Sequence, residues 1–88
     1  MPELRGLPGT SDVRECVFVG TAAQAIKNLR LGMAVSAASD NGAINMWDDA
    51  EGKYRCEAMR HMHTLEAKVF TNLKDVRRWV SEWLRKIQ

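Results

Sequence analysis

Apolar positions change their spacing several times along this chain, and each change marks an element. Over residues 13–19, Val13, Cys16, Val17, Phe18 and Val19 form a β-branched and aromatic cluster closed by Gly20, the composition of a short strand. Thr21-Ala22-Ala23-Gln24 then has the form of a capping box. The threonine hydroxyl accepts from an N–H one turn on, and the glutamine reaches back to the cap's own N–H. Ala22, Ala25, Ile26 and Leu29 follow at helical spacing and Gly32 stands where a stop residue belongs, so a helix is predicted over 22–31.

Residues 33–37 alternate large apolar with small side chains, and Asn41-Gly42 follows, the strongest short-range signal for a two-residue hairpin turn. The predicted register pairs Asp40 with Ala43. It places Val35, Ala37, Ile44 and Met46 on one face, the core candidate, and Ser36, Asn45 and Trp47 on the other. A polar connector, residues 48–53, leads into Tyr54, Cys56 and Ala58, a third strand with apolar residues on even numbers. Beyond Met62 the apolar residues Leu65, Ala67 and Val69 are odd, so one straight strand cannot bury both sets. A bulge or turn near residues 60–64 resolves the conflict. Ala58, Met62, Leu65 and Val69 also fit helical spacing; strand is the preferred reading.

The last element has the clearest pattern. Thr71 or Asn72 can cap it, and Leu73, Val76, Trp79, Val80, Trp83, Leu84 and Ile87 form one apolar stripe at a 3.6-residue period. The opposite face is charged. Arg78, Glu82 and Lys86 are spaced for i,i+4 ion pairs.

These elements predict an α+β fold. An antiparallel sheet of three to four strands packs with a short N-terminal helix and a longer amphipathic C-terminal helix. Residues 1–11, with Pro2, Gly6, Pro8 and Gly9, read as a flexible tail, and residues 12–88 as a single domain. Eighty-eight residues bury a thin core, which argues against a deep enclosed pocket. No apolar run reaches the length of a membrane span and the N-terminal residues lack a secretory layout. A cytoplasmic protein is expected, with Cys16 and Cys56 reduced.

The net charge of +2 and pI near 8.7 conceal a dipole. Residues 40–53 carry Asp40, Asp48, Asp49 and Glu51 against Lys53, while residues 72–88 carry Lys74, Arg77, Arg78, Arg85 and Lys86 against Asp75 and Glu82. Two faces of opposite sign follow.

Cys56, His61 and His63, with Cys16 arriving from elsewhere, lack the close-spaced cysteine pair of a structural zinc site, and nothing in the sequence around Cys56 activates its thiol. Asp48 and Asp49 are adjacent and fit a solvated loop better than an acid–base pair. Phosphate-loop motifs are absent. No enzyme activity, metal or cofactor is expected.

Protein binding is the leading expectation, in the form of a stoichiometric inhibitor or regulator. Its candidate site is Trp47 with Asp48, Asp49 and Glu51, since a tryptophan beside acids on an outer sheet face is a favoured interface anchor. The competing reading has the first helix covering Trp47. Nucleic-acid binding is the alternative, through Lys74, Arg77, Arg78 and Arg85. The order helix, three strands, helix is also that of the double-stranded-RNA-binding domain, but the helix start Asn72-Leu73-Lys74-Asp75 lacks a basic cluster and the acids would repel a phosphate backbone.

In size, compactness, absence of catalytic motif and charged faces, the chain resembles small proteins that phages and other mobile elements use against host systems, including anti-CRISPR proteins. That resemblance implies a nuclease or surveillance complex as partner, blocked by occupation of a nucleic-acid or partner site.

Overall fold

The computed structural model describes residues 16–49 and 51–88. The expected tail at 1–11, residues 13–15 of the first predicted strand and Ala50 of the second connector lie outside the described residues. In chain order the elements are β1 (Cys16–Phe18), α1 (Ala22–Arg30), β2 (Ala34–Ser39), β3 (Gly42–Asp48), β4 (Tyr54–Arg60), β5 (His63–Phe70) and α2 (Leu73–Ile87).

The fold is α+β, and the described residues form two helices and one five-stranded mixed sheet ordered β1-β2-β3-β4-β5. This corrects the expected three- to four-stranded antiparallel sheet in two respects. First, β1 pairs parallel to β2, Val17 opposite Val35. Parallel neighbours need a crossover connection, and α1 supplies it, so β1, α1 and β2 form a β-α-β unit. Second, the strands number five, because the turn expected near residues 60–64 forms and divides residues 54–70 into two strands, as preferred over a helix. His61 and Met62, at φ 51° and 68°, make the two-residue turn between them, in the positive-φ geometry that matches strand twist.

Both helix starts are set by the predicted caps. The Thr21 hydroxyl accepts from the Gln24 N–H at 3.1 Å, while the Gln24 side chain reaches the N–H of Gly20 rather than that of Thr21, at 2.9 Å. Asn72 is the cap of α2: its Oδ1 accepts from the Asp75 N–H at 2.9 Å and its amide donates to the Asp75 carboxylate at 3.0 Å. Gly32, at φ 84°, follows the end of α1 in the left-handed conformation expected of a stop residue.

The β2–β3 hairpin is shifted by two residues from its predicted register. Ser39 pairs with Gly42 and Ala38 with Ala43, so the turn is Asp40-Asn41. The Ser39 hydroxyl accepts from the Asn41 N–H at 3.0 Å and donates to the carbonyl of Ile87, fixing the turn against the end of α2. Gly42 is needed inside the strand instead, because a Cβ there would lie 2.8 Å from the Met59 carbonyl oxygen. A two-residue shift preserves faces, so the predicted core side is correct.

That side carries Val35, Ala37, Ile44, Met46, Cys56 and Ala58, all buried, and both helices cover it. Ala25, Ile26 and Leu29 of α1 and Val76, Trp79, Val80, Leu84 and Ile87 of α2 belong to the same cluster. The opposite face has no helix on it among the described residues. Among the described residues no helix is long and apolar enough to cross a membrane.

Candidate protein-docking face

Because both helices pack on one side, alternation places a defined set of residues on the other. Trp47 stands opposite Arg55, and Val69 lies beyond Arg55; Asn45 stands between Ser36 and Glu57, with Phe18 and Ala67 at the two ends of that row. The competing reading of Trp47 is thereby resolved. It is not covered by α1, and it stays half-buried on the sheet face that carries no helix among the described residues.

A polar ladder crosses the middle of this face. The Ser36 hydroxyl donates to Asn45 Oδ1 at 2.6 Å, the Asn45 amide donates to a Glu57 carboxylate oxygen at 3.4 Å, and Cys16 Sγ lies 3.4 Å from Ser36 Oγ. Around it are Phe18, 74% exposed, Leu65, 53%, and Val69, 48%, with Trp47 and Met59 half-buried. Leu65, Ala67 and Val69 are the odd-numbered set that was expected to reach the core by way of a bulge or turn. The parity conflict disappears because pairing of Cys56 with Lys68 and Ala58 with Glu66 turns the odd residues of β5 away from the helices. The ladder itself was missed in the sequence; its signal was a row of polar residues at 36, 45 and 57 in strands otherwise rich in apolar side chains.

The acidic candidates do not form one cluster. Asp48 ends β3 on the side opposite Trp47, as alternation requires. The Asp49 carboxylate holds the β3–β4 turn, accepting from the N–H groups of Glu51 at 2.9 Å and Lys53 at 3.1 Å and from Arg55 Nε at 3.2 Å. Those bonds, the one from Glu51 foremost, keep its carboxyl below the ordinary 3.8. Glu51 is exposed at the tip. Asp49 therefore shapes the connector, and Trp47 has Arg55 and Glu57 beside it instead of the predicted acids.

The basic candidates Lys74, Arg77, Arg78 and Arg85 are all exposed on α2. Among the described residues, neither Arg78–Glu82 nor Glu82–Lys86 comes within ion-pair distance; Lys86 Nζ lies 4.4 Å over the Trp83 ring. The sequence also missed Glu66. Its Oε1 accepts from the indole N–H of Trp79 at 2.8 Å and of Trp83 at 2.9 Å, and those bonds, Trp83 first, lower its carboxyl pKa.

The cysteine and histidine candidates are dispersed. Cys56 is buried under the helices, and burial pushes its thiol up to about 12, away from the thiolate that nucleophiles and metal ligands require. His61 and His63 are exposed at the β4–β5 turn. Cys16 is exposed, on the bare face at β1 and so on the opposite face from Cys56; both are free thiols. Among the described residues no group of three or more His, Cys, Asp or Glu comes together in a way that could hold a metal ion.

No protein-family model matches the chain, and neither a curated protein nor a solved structure is detectably similar to it.

Proposed function

We propose that the chain is a non-enzymatic protein-binding domain that acts as a stoichiometric inhibitor or regulator, docking through the bare sheet face around Trp47. The observation that supports this reading is the position of Trp47 on a sheet face that carries no helix among the described residues, with Val69 beyond Arg55 in its own row, Phe18 and Met59 elsewhere on the same face, and a polar ladder across it. An aromatic anchor in apolar surroundings with a few oriented polar groups is the usual composition of an interface centre. Charge narrows the partner. Arg55 is neutralised by Asp49, which leaves Glu57 as the carboxylate beside the anchor. The complementary partner presents an apolar patch bearing a lysine or arginine, as proteins that handle nucleic acid do around their grooves, and this agrees with the resemblance to anti-CRISPR and other phage-encoded inhibitors. A reducing cytoplasmic setting suits the two free thiols.

Nucleic-acid binding through Lys74, Arg77, Arg78 and Arg85 is the second reading, favoured only by the exposure of those four side chains. Capture from nuclease-treated host lysate tests the pair. The protein reading expects one partner retained at fixed stoichiometry, lost with Trp47→Asp and kept when the four bases of α2 are reversed. Loss on nuclease treatment, or loss only with the reversed bases, overturns it.

A further inference from the structure

The sheet ends at β5, and among the described residues no strand pairs with its outer side. Proteins usually blunt such an edge by keeping it short, by bulging it or by placing a lone lysine on it. Here the edge strand is eight residues long, and its charges and apolar residues are arranged symmetrically about Ala67.

We propose that β5 pairs antiparallel with β5 of a second copy, about a twofold axis at Ala67, to give a continuous ten-stranded sheet. In that register Ala67 faces Ala67, Glu66 faces Lys68 of the second copy and Lys68 faces its Glu66, while Leu65 and Val69 face each other twice. Opposite charges and apolar pairs placed directly across strands each stabilise the pairing. The half-exposed Leu65 and Val69 thereby gain apolar neighbours.

The alternatives are disfavoured by the same residues. Moving the register by two in one direction sets Glu66 against Glu66, and in the other sets Lys68 against Lys68; like charges directly opposite are destabilising. A one-residue slip would set the helix side of one copy against the bare side of the other. Lys68 thus selects one register instead of blocking the edge. The bulge at Leu65, the residue skipped where Ala58 pairs with Glu66 and Met59 with Thr64, leaves Glu66 to Phe70 regular and confines the irregularity to the ends of the new ladder. A two-strand contact of this length is isologous and small, so the dimer is concentration-dependent. It carries two Trp47 faces on one sheet side, and its existence is independent of the proposed partner binding.

The test is sedimentation of the full chain over about 10–500 μM, a span chosen for a weak interface, with oxidative cross-linking of Ala67→Cys in a Cys16→Ser background. Residues directly opposite have Cβ atoms about 4.5–5.5 Å apart, close to disulfide reach. The expected result is a species of twice the 9.9 kDa chain mass and a 67–67 cross-link. Lys68→Glu should weaken the dimer about tenfold or more and Lys68→Arg should preserve it; Val69→Lys, at an exposed position, should weaken it as well should Lys68→Glu fail to fold. A monomer throughout the range overturns the proposal. So does a dimer that is indifferent to Lys68→Glu and Val69→Lys, or a cross-link that forms equally well from Lys74→Cys.

Discussion

Trp79, 5% exposed in the core, donates its indole N–H to Oε1 of Glu66 over 2.8 Å, and Trp83 donates to the same oxygen. One carboxylate on the edge strand therefore fixes two aromatic side chains of α2. Trp83 lies half-buried at the rim with its ring 6.1 Å from that of Trp79. The helix stripe alone made Trp83 look equivalent to Trp79; burial separates them. Trp79→Ala should cost about 3–5 kcal/mol and Trp83→Ala clearly less. Urea melts of the two variants check the order, and equal losses would contradict it.

Acid should destabilise the domain through the same contact. The folded pKa of Glu66 is lowered from its ordinary 4.5 and that of Asp49 from 3.8. A group whose folded pKa is depressed contributes stability that is present above its unfolded pKa and lost as pH falls through the folded one. Thermal stability should fall as pH drops through about 4.5 and below, and Glu66→Gln should flatten part of that fall while lowering stability at neutral pH. A variant with an unchanged acid limb would contradict the role given to Glu66.

Met62 should be replaceable with a gain. It sits at φ 68°, where a side chain is disfavoured by about 1–2 kcal/mol, and it is 92% exposed, so little packing opposes the change. Met62→Gly should raise stability by up to about 1 kcal/mol after the added backbone entropy of the unfolded chain is subtracted, read as a higher denaturation midpoint. Gly42→Ala should do the reverse, because its Cβ would press on the Met59 carbonyl oxygen at 2.8 Å, and a loss of about 1–3 kcal/mol is expected from overpacking.

The elements that were legible in the sequence are those whose signals are local. Thr21, Asn72 and Gly32 act through atoms a few residues away, and the stripe from Val76 to Ile87 repeats often enough to define a helix and its buried side. The faces of β2 and β3 were readable because alternation survives a two-residue slip. What was not readable depended on partners distant in sequence. The direction of β1 follows from where α1 crosses, the hairpin register from Ser39 meeting Ile87 and Gly42 meeting Met59, and the sidedness of Leu65, Ala67 and Val69 from pairing with β4. The candidate site divides in the same way. Trp47 was identified, but its exposure depended on which face α1 chose, and the acids beside it in sequence were separated by strand alternation and by the Asp49 turn.

That separation changes how the docking face should be probed. Reversing Asp49 would remove three hydrogen bonds from the β3–β4 turn and confuse misfolding with lost binding. Glu57→Lys is the cleaner reversal. It should weaken partner affinity by about tenfold or more, in the range of a charge removed beside an interface anchor, while Glu51→Lys at the exposed tip should change it much less. Titration of the captured partner by calorimetry distinguishes the two.

The most direct measurement is fluorine NMR of the chain carrying 5-fluorotryptophan, with the three resonances assigned by single Trp→Phe variants. Addition of the captured partner should shift or broaden the Trp47 line and abolish its water-to-deuterium-oxide solvent shift, while Trp79, held in the core by Glu66, is unmoved. A Trp47 line that remains solvent-exposed and unshifted at saturating partner, with the perturbation falling instead on Trp83 beside the basic side of α2, would contradict docking through the Trp47 face.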